Sequence, residues 1–125
     1  MKESVHRIIQ AINQQEKIII FGDFDTDGIT STVILVDGLK SLGAKVSYRV
    51  PERTRDSHGL KSHLLDEISQ TQSSLIITCD CGINDQTEVN YAVEKYALDI
   101  IITDHHDPDP ERFPNQALAV LNPKL

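Results

Sequence analysis

The sequence predicts an α/β domain built on a mainly parallel sheet of about five strands flanked by helices. Three observations predict it. Short apolar runs rich in β-branched residues recur at 17–22, 74–79 and 99–103, each too short for a helix. Segments of helical period lie between them, and this alternation is the pattern of βαβ units with right-handed crossovers. Each of the three runs ends in a cluster of acidic residues or histidines.

Taken in order, residues 4–15 form an amphipathic helix with Val5, Ile8, Ile9 and Ile12 on one face. Residues 17–22 are a buried strand. Residues 29–42 place Val33, Val36, Leu39 and Leu42 at helical spacing, and Gly43 stops that helix. Residues 45–50 form a strand ended by Pro51, residues 60–70 a helix and residues 74–79 a strand. A helix over 84–97, a strand over 99–103 and a short strand over 117–121, closed by Asn122 and Pro123, complete a Rossmann-like arrangement. The stretches 51–59 and 104–116 are irregular. There is no internal repeat, low-complexity tract or linker, so the 125 residues read as one domain.

The chain carries a formal net charge of −7 and a pI of about 5.0. That balance argues against a general, non-specific nucleic-acid binder, but not against an acidic site acting on a phosphate-bearing substrate. No apolar stretch reaches the roughly 18 residues of a membrane span. The N-terminus lacks the apolar core of a signal peptide, and a cytoplasmic protein is expected. Cys79 and Cys81 are the only cysteines. On a strand they face the same way, a disulfide between such near neighbours is strained, and buried reduced thiols are expected. Lys2, Arg7, Lys40 and Lys45 read as ordinary charge on helix surfaces and a strand edge.

The chemistry concentrates in three places. Asp23, Asp25 and Asp27 follow the first strand at alternate positions, and their mutual repulsion calls for a cation. Oxygen donors suit a hard divalent ion. The run Asp-x-Asp-x-Asp-Gly imitates the opening of a calcium loop, but loop position twelve falls on Ile34 and a strand precedes it. One of the three carboxylates is free to cap the following helix. Asp80 ends the third strand, and Asp104, His105 and His106 end the fourth. In open α/β sheets ligands collect beyond the carboxyl ends of the strands, so the clusters should converge on one edge. Strand alternation points His105 and His106 in different directions, one to a metal and one to substrate or to a supporting position. Arg49, Arg53, Arg55 and Lys61 make 49–63 locally basic, either a solvated loop or a rim that contacts phosphates. Asp107 and Asp109, between prolines, read as solvent-facing.

Together, Gly22-Asp-Phe-Asp-Thr-Asp-Gly28, Asp80-Cys-Gly82 and Thr103-Asp-His-His106 resemble the DHH phosphoesterase superfamily, and within it the RecJ branch of single-strand-specific exonucleases. Pro51-Glu-Arg53, Asp56-Ser-His-Gly-Leu60 and Ala119-Val-Leu-Asn-Pro123 add to the resemblance, which runs from Lys17 to Pro123. It implies a DHH domain over 1–125 and a phosphodiesterase using two manganese or magnesium ions. It further implies metal ligation by Asp25, Asp27, Asp80 and His105, with Asp80 as the bridge. Catalytic positions near the metals match Asp23 and Asp104, and His106 matches one near the scissile phosphate. Nucleic-acid contacts are expected from Arg53, Arg55, His58 and Lys61. Single-stranded DNA is the implied substrate, with single-strand-binding and helicase proteins as partners. The family pattern Asp-Gly-Tyr-Gly-Leu is here Asp56-Ser-His-Gly-Leu60, a departure that touches substrate contacts. The family also has a later aspartate ligand and a second domain beyond Leu125, so this chain alone is expected to be nearly inactive. Other readings are a DHH phosphodiesterase of short oligonucleotides or cyclic dinucleotides, and a non-catalytic binding module. Mixed imidazole and carboxylate donors favour manganese.

Overall fold

The computed structural model describes residues 1–125. Its elements run α1 (Lys2–Asn13), β1 (Lys17–Gly22), α2 (Thr26–Ser41), β2 (Lys45–Arg49), α3 (Ser62–Ser69), β3 (Leu75–Cys79), α4 (Gln86–Tyr96), β4 (Asp99–Thr103) and β5 (Ala119–Leu121). The five strands make one wholly parallel sheet in the order β2-β1-β3-β4-β5. The chain steps outwards from β1 to β2, then returns to β3 on the other side. That reversal places the switch point of the sheet between β1 and β3, where open α/β sheets bind ligands.

Both faces of the sheet are covered, which is why β1 and β3 read as nearly unbroken apolar runs. Ile19, Phe21, Ile76, Ile100 and Ile102 pack under α3 and α4 with Leu64, Leu65, Ile68, Val89 and Ala92. Ile18, Ile20, Leu75, Ile77 and Ile101 face α1 and α2 through Ala11, Val36 and Leu39. No helix is long and apolar enough to cross a membrane.

Several expectations need correction. The buried stripe of α1 is Ser4, Arg7 and Ala11, with Ile8 and Ile12 partly buried, whereas Val5 and Ile9 are exposed. Arg7 is not surface charge. It is only 9% exposed and donates to Asp99 at 2.6 Å and to Glu16 at 2.6 Å, tying α1 to the start of β4. A buried guanidinium demands such partners, and meeting them rotates the helix away from its most apolar stripe. On α2, Val36 and Leu39 are buried, but Val33 and Leu42 are exposed and Ile34 is 70% exposed. The helix also begins three residues before its expected start at Ile29, because Asp25 caps it by accepting from the Gly28 amide at 3.0 Å.

Cys79 and Cys81 are free and buried but lie in opposite layers, Cys79 under α1 and α2, Cys81 under α3 and α4. Strand alternation fails between them because β3 ends at Cys79 and Asp80 takes a left-handed backbone, φ 63°.

Candidate metal centre

Parallel register builds the site. Ile18, Leu75 and Asp99 are mutual partners at the start of β1, β3 and β4, and Gly22, Cys79 and Thr103 are partners at the end. Asp23, Asp80 and Asp104 are therefore the next residues in one row across the sheet. Backbone bonds continue the ladder through them: Asp23 N–H to Cys79, Asp80 N–H to Thr103 and Asp104 N–H to Leu121. The carboxylates stand beyond the strand ends on the edge that the sequence indicates.

Gly28 brings the first turn of α2 against this row. A Cβ there would run into the Asp23 carbonyl oxygen and lie 2.6 Å from the Asp23 nitrogen, an approach no side chain tolerates. This packing places Asp25, at the N-cap of α2, beside Asp23 and Asp80. One ligand atom from each of Asp23, Asp25 and Asp80 lies within 4.8 Å of the others. A second group with the same spacing is Asp80, His105 and His106. Asp80 belongs to both.

Asp80 is 7% exposed, yet neither carboxylate oxygen makes a hydrogen bond. His105 Nε2 lies 2.9 Å from Oδ1, close enough for an ion pair but without hydrogen-bond alignment. Burial, then the neighbouring Asp25, pushes the Asp80 carboxyl up to about 6. Asp25 moves the other way, held below the usual carboxylate range chiefly by the Gly28 amide. A buried, unbonded carboxylate between two carboxylates and two imidazoles fits divalent cations, because each added positive charge relieves repulsion that no hydrogen bond relieves here. The donor set of oxygen and imidazole nitrogen suits manganese.

The other aspartates in the row are occupied by donors. Asp104 accepts from Ile83 N–H at 3.0 Å, His105 N–H at 2.7 Å and His106 N–H at 3.1 Å, and pairs with His106 Nδ1 at 2.7 Å. This saturated carboxylate orients the turn that carries the histidines. Its hydrogen bond to His106 raises the basicity of that ring. Asp23 accepts from Phe24 N–H at 2.7 Å and contacts His58 Nδ1 at 2.5 Å. His105 and His106 do not point apart as alternation requires. β4 ends at Thr103, and beyond it the two rings lie side by side with centroids 4.7 Å apart.

Two clefts open on the row. One, of about 360 Å³, is lined by Asp23, His58, Asp80, Asp85, His106 and Arg112 among others. The other, of about 380 Å³, is lined by Asp27, Thr30, Ser31, Asp80, Thr103 and His105 among others. Asp27 thus borders the site on the His105 side but joins neither group of close ligand atoms.

The basic segment is half neutralised by carboxylates in it and on α3. Arg49 pairs with Glu67, and Arg55 and His63 with Asp56 at 3.5 and 3.1 Å. Arg53 has no carboxylate partner and lies 5.9 Å over the Phe24 ring, and Lys61 Nζ donates to the His58 carbonyl at 2.7 Å. Asp107 is exposed, as expected, and paired with Lys124 at 2.7 Å. Sequence reasoning missed Asp85 and Arg112, which line the first cleft but sit in no recognisable spacing. It also missed the role of Asn122, whose side-chain amide donates to the His106 carbonyl at 2.9 Å and steadies the histidine turn. The Leu-Asn-Pro run pointed to Asn122 without giving it a task.

Residues 17–125 match the DHH family, N-terminal domain. The chain is 45% identical over 124 residues to the single-stranded-DNA-specific exonuclease RecJ of Bacillus subtilis (strain 168), covering 99% of this chain and 15% of that protein. It superposes on a crystal structure of exonuclease RecJ bound to manganese with a TM-score of 0.88 and 36% identity, covering 98% of this chain and 31% of the other. On the RecJ of Thermus thermophilus in complex with Mn2+ the TM-score is 0.80 at 34% identity, with coverage of 98% and 16%. The chain thus spans less than a third of the length of each of these relatives. The sheet, the row of aspartates and the match over nearly the whole sequence agree: the chain belongs to the DHH family, in its N-terminal domain.

Proposed function

We propose that this chain supplies the metal-holding part of a metal-dependent phosphodiesterase, a RecJ-like exonuclease that degrades single-stranded DNA in the 5′-to-3′ direction. The single observation carrying the reading is Asp80, a buried carboxylate with no hydrogen bond, common to a carboxylate group and a histidine group. Asp25, Asp80 and His105 would hold divalent ions, Asp80 being common to both groups of ligand atoms, with Asp27 available from the second cleft. Manganese is favoured over magnesium by the imidazole donors, and the relatives solved with manganese support a divalent ion here. The chemistry those ions would supply when bound is activation of a water and neutralisation of charge on the oxygens of an in-line displacement.

The chain's own residues do the rest. Asp104 accepts a hydrogen bond from Nδ1–H of His106, so Nε2 faces the substrate side and donates to a phosphate oxygen when the ring is in its protonated form. The hydrogen bond to Asp104 raises the basicity of His106 and so favours that form. Asp23 orients His58 in the same manner. Arg53 and Lys61 offer cations to the phosphates of a single strand entering beside Phe24.

Two measurements test this. Calorimetry with manganese should show binding by the chain that Asp80→Ala abolishes, and equal binding by the two would refute the metal assignment. In a polypeptide of the relatives' length, manganese-dependent digestion of 5′-labelled single strands should fall about 10²-fold or more with His105→Ala, since small misplacement of the reacting groups costs that much. Cyclic dinucleotides and very short oligonucleotides belong in the same assay. Faster turnover of those than of long single strands would replace the exonuclease reading with the other phosphodiesterase reading.

A further inference from the structure

The segment joining β2 to α3 carries His58 to the metal centre without any regular structure of its own. What holds it there comes from a different connection, the one between β3 and α4. Asp85, the residue before α4, accepts from the Leu60 N–H through Oδ2 at 2.7 Å. The same carboxylate lies against Gly59, where a Cβ would come within 2.5 Å of Oδ2 and 2.9 Å of Oδ1. Gly59 has φ 86°, so both its conformation and its contact exclude a side chain. Immediately before this clamp stands His58, with Nδ1 2.5 Å from Asp23 and its ring packed at a tilt against Phe24, 4.3 Å between centroids. Immediately after it stands Leu60, fully buried among α3 and α4. Burial raises the Asp85 carboxyl above its ordinary range, a cost that the helix alone does not explain, because the side chain makes no capping bond to α4.

We propose that Asp85 is a positioning residue: by clamping Gly59 and Leu60 it sets His58 at Asp23 and so shapes the wall of the cleft through which a single-stranded substrate reaches the metals. The substrate clause rests on the function proposed above, whereas the clamp itself does not. The only hydrogen bond of the Asp85 side chain is to Leu60, and none goes to Asp23, Asp25, Asp80 or His105. Its removal should therefore free the segment while leaving the metal ligands in place.

The test uses the 125-residue chain and its Asp85→Ala and Asp85→Asn variants. Amide exchange should quicken at Leu60 by about tenfold or more in Asp85→Ala, the worth of a hydrogen bond to a charged group. The hydrogen-bonded Nδ1 proton of His58 should broaden or vanish from its nitrogen-correlated spectrum. Manganese affinity by calorimetry should stay within about twofold, because no proposed metal ligand has been altered. Asp85→Asn, whose amide oxygen still accepts from Leu60, should restore much of the protection. Unchanged Leu60 exchange and an unchanged His58 signal in Asp85→Ala would overturn the proposal. So would a loss of manganese binding as complete as in Asp80→Ala, or an asparagine variant no better than alanine. A thymidine hexanucleotide added with manganese tests the substrate clause, with weaker binding expected in Asp85→Ala. If the unaltered chain binds neither manganese nor the oligonucleotide, the functional reading fails while the exchange and histidine signals still decide the clamp.

Discussion

Asp80 owes its place to a backbone few residues adopt. Its left-handed conformation costs on the order of 1 kcal/mol, and aspartate is among the side chains that reach it most readily. The carboxylate is then left buried, unbonded and shifted up to about 6 from an ordinary 3.8. The folded chain therefore holds a proton at a pH where the unfolded chain has released it. Stability from this group is greatest below about pH 4 and falls as the pH rises through 6. In the presence of a chelator, Asp80→Asn should remove that fall and be more stable than the parent at pH 7, by about 1–2 kcal/mol. Denaturant melts from pH 4 to 7 would show it, and an asparagine variant less stable at pH 7 would contradict the account. At this scale the sequence was legible where spacing carried the signal. The three acidic clusters announced themselves by following apolar runs. Asp85 and Arg112 did not, because their place in the cleft depends on crossovers that bring distant loops together. The contrast between a saturated Asp104 and an unbonded Asp80 was equally invisible, since both are aspartates after a strand.

Elements were legible in kind but not in facing. Every helix and strand expected from periodicity exists, with ends moved by at most three residues, as capping and fraying make ordinary. Orientation of the helices was harder. On α1 the stripe of Val5 and Ile9 lost to Arg7, because a guanidinium joined to Glu16 and Asp99 must stay where those carboxylates are. Removing Arg7 leaves two partly exposed carboxylates unpaired, so Arg7→Ala should cost about 1–3 kcal/mol. Arg7→Met should cost less when Glu16→Gln and Asp99→Asn are introduced with it, a comparison that chemical denaturation can make. At the start of α2 the constraint is steric. Gly28→Ala would drive a methyl into the Asp23 backbone and should destabilise the fold by at least about 2 kcal/mol while separating Asp25 from Asp80. Thermal melts measure the first effect and manganese calorimetry the second.

The whole molecule is a sheet between two apolar layers, and each layer holds one buried thiol. Burial pushes Cys79 up to about 11 and raises Cys81 well above its ordinary value, so neither forms appreciable thiolate at about pH 8. In native buffer both should resist alkylation. If the layers unfold as one unit, the two should become reactive together across a denaturant series. Modification of one well before the other would show that α1 and α2 detach separately from α3 and α4. The parallel topology and the sheet edge bearing the site were both foreseen from alternation alone, since short strands with intervening helices leave few other arrangements.

The row formed by Asp23, Asp80 and Asp104 has a consequence for how this domain tolerates changes of length. Each aspartate stands five residues after its partner in the trio Ile18, Leu75 and Asp99. One residue inserted or deleted inside any of these three stretches would carry its acid off the shared rung and turn it to the opposite face. The same change in the turns before α3 or after α4 alters nothing in that alignment. Chains that keep this chemistry should therefore vary in loop length while the three five-residue intervals stay constant, and a library of single-codon deletions would trace those intervals as gaps among the survivors.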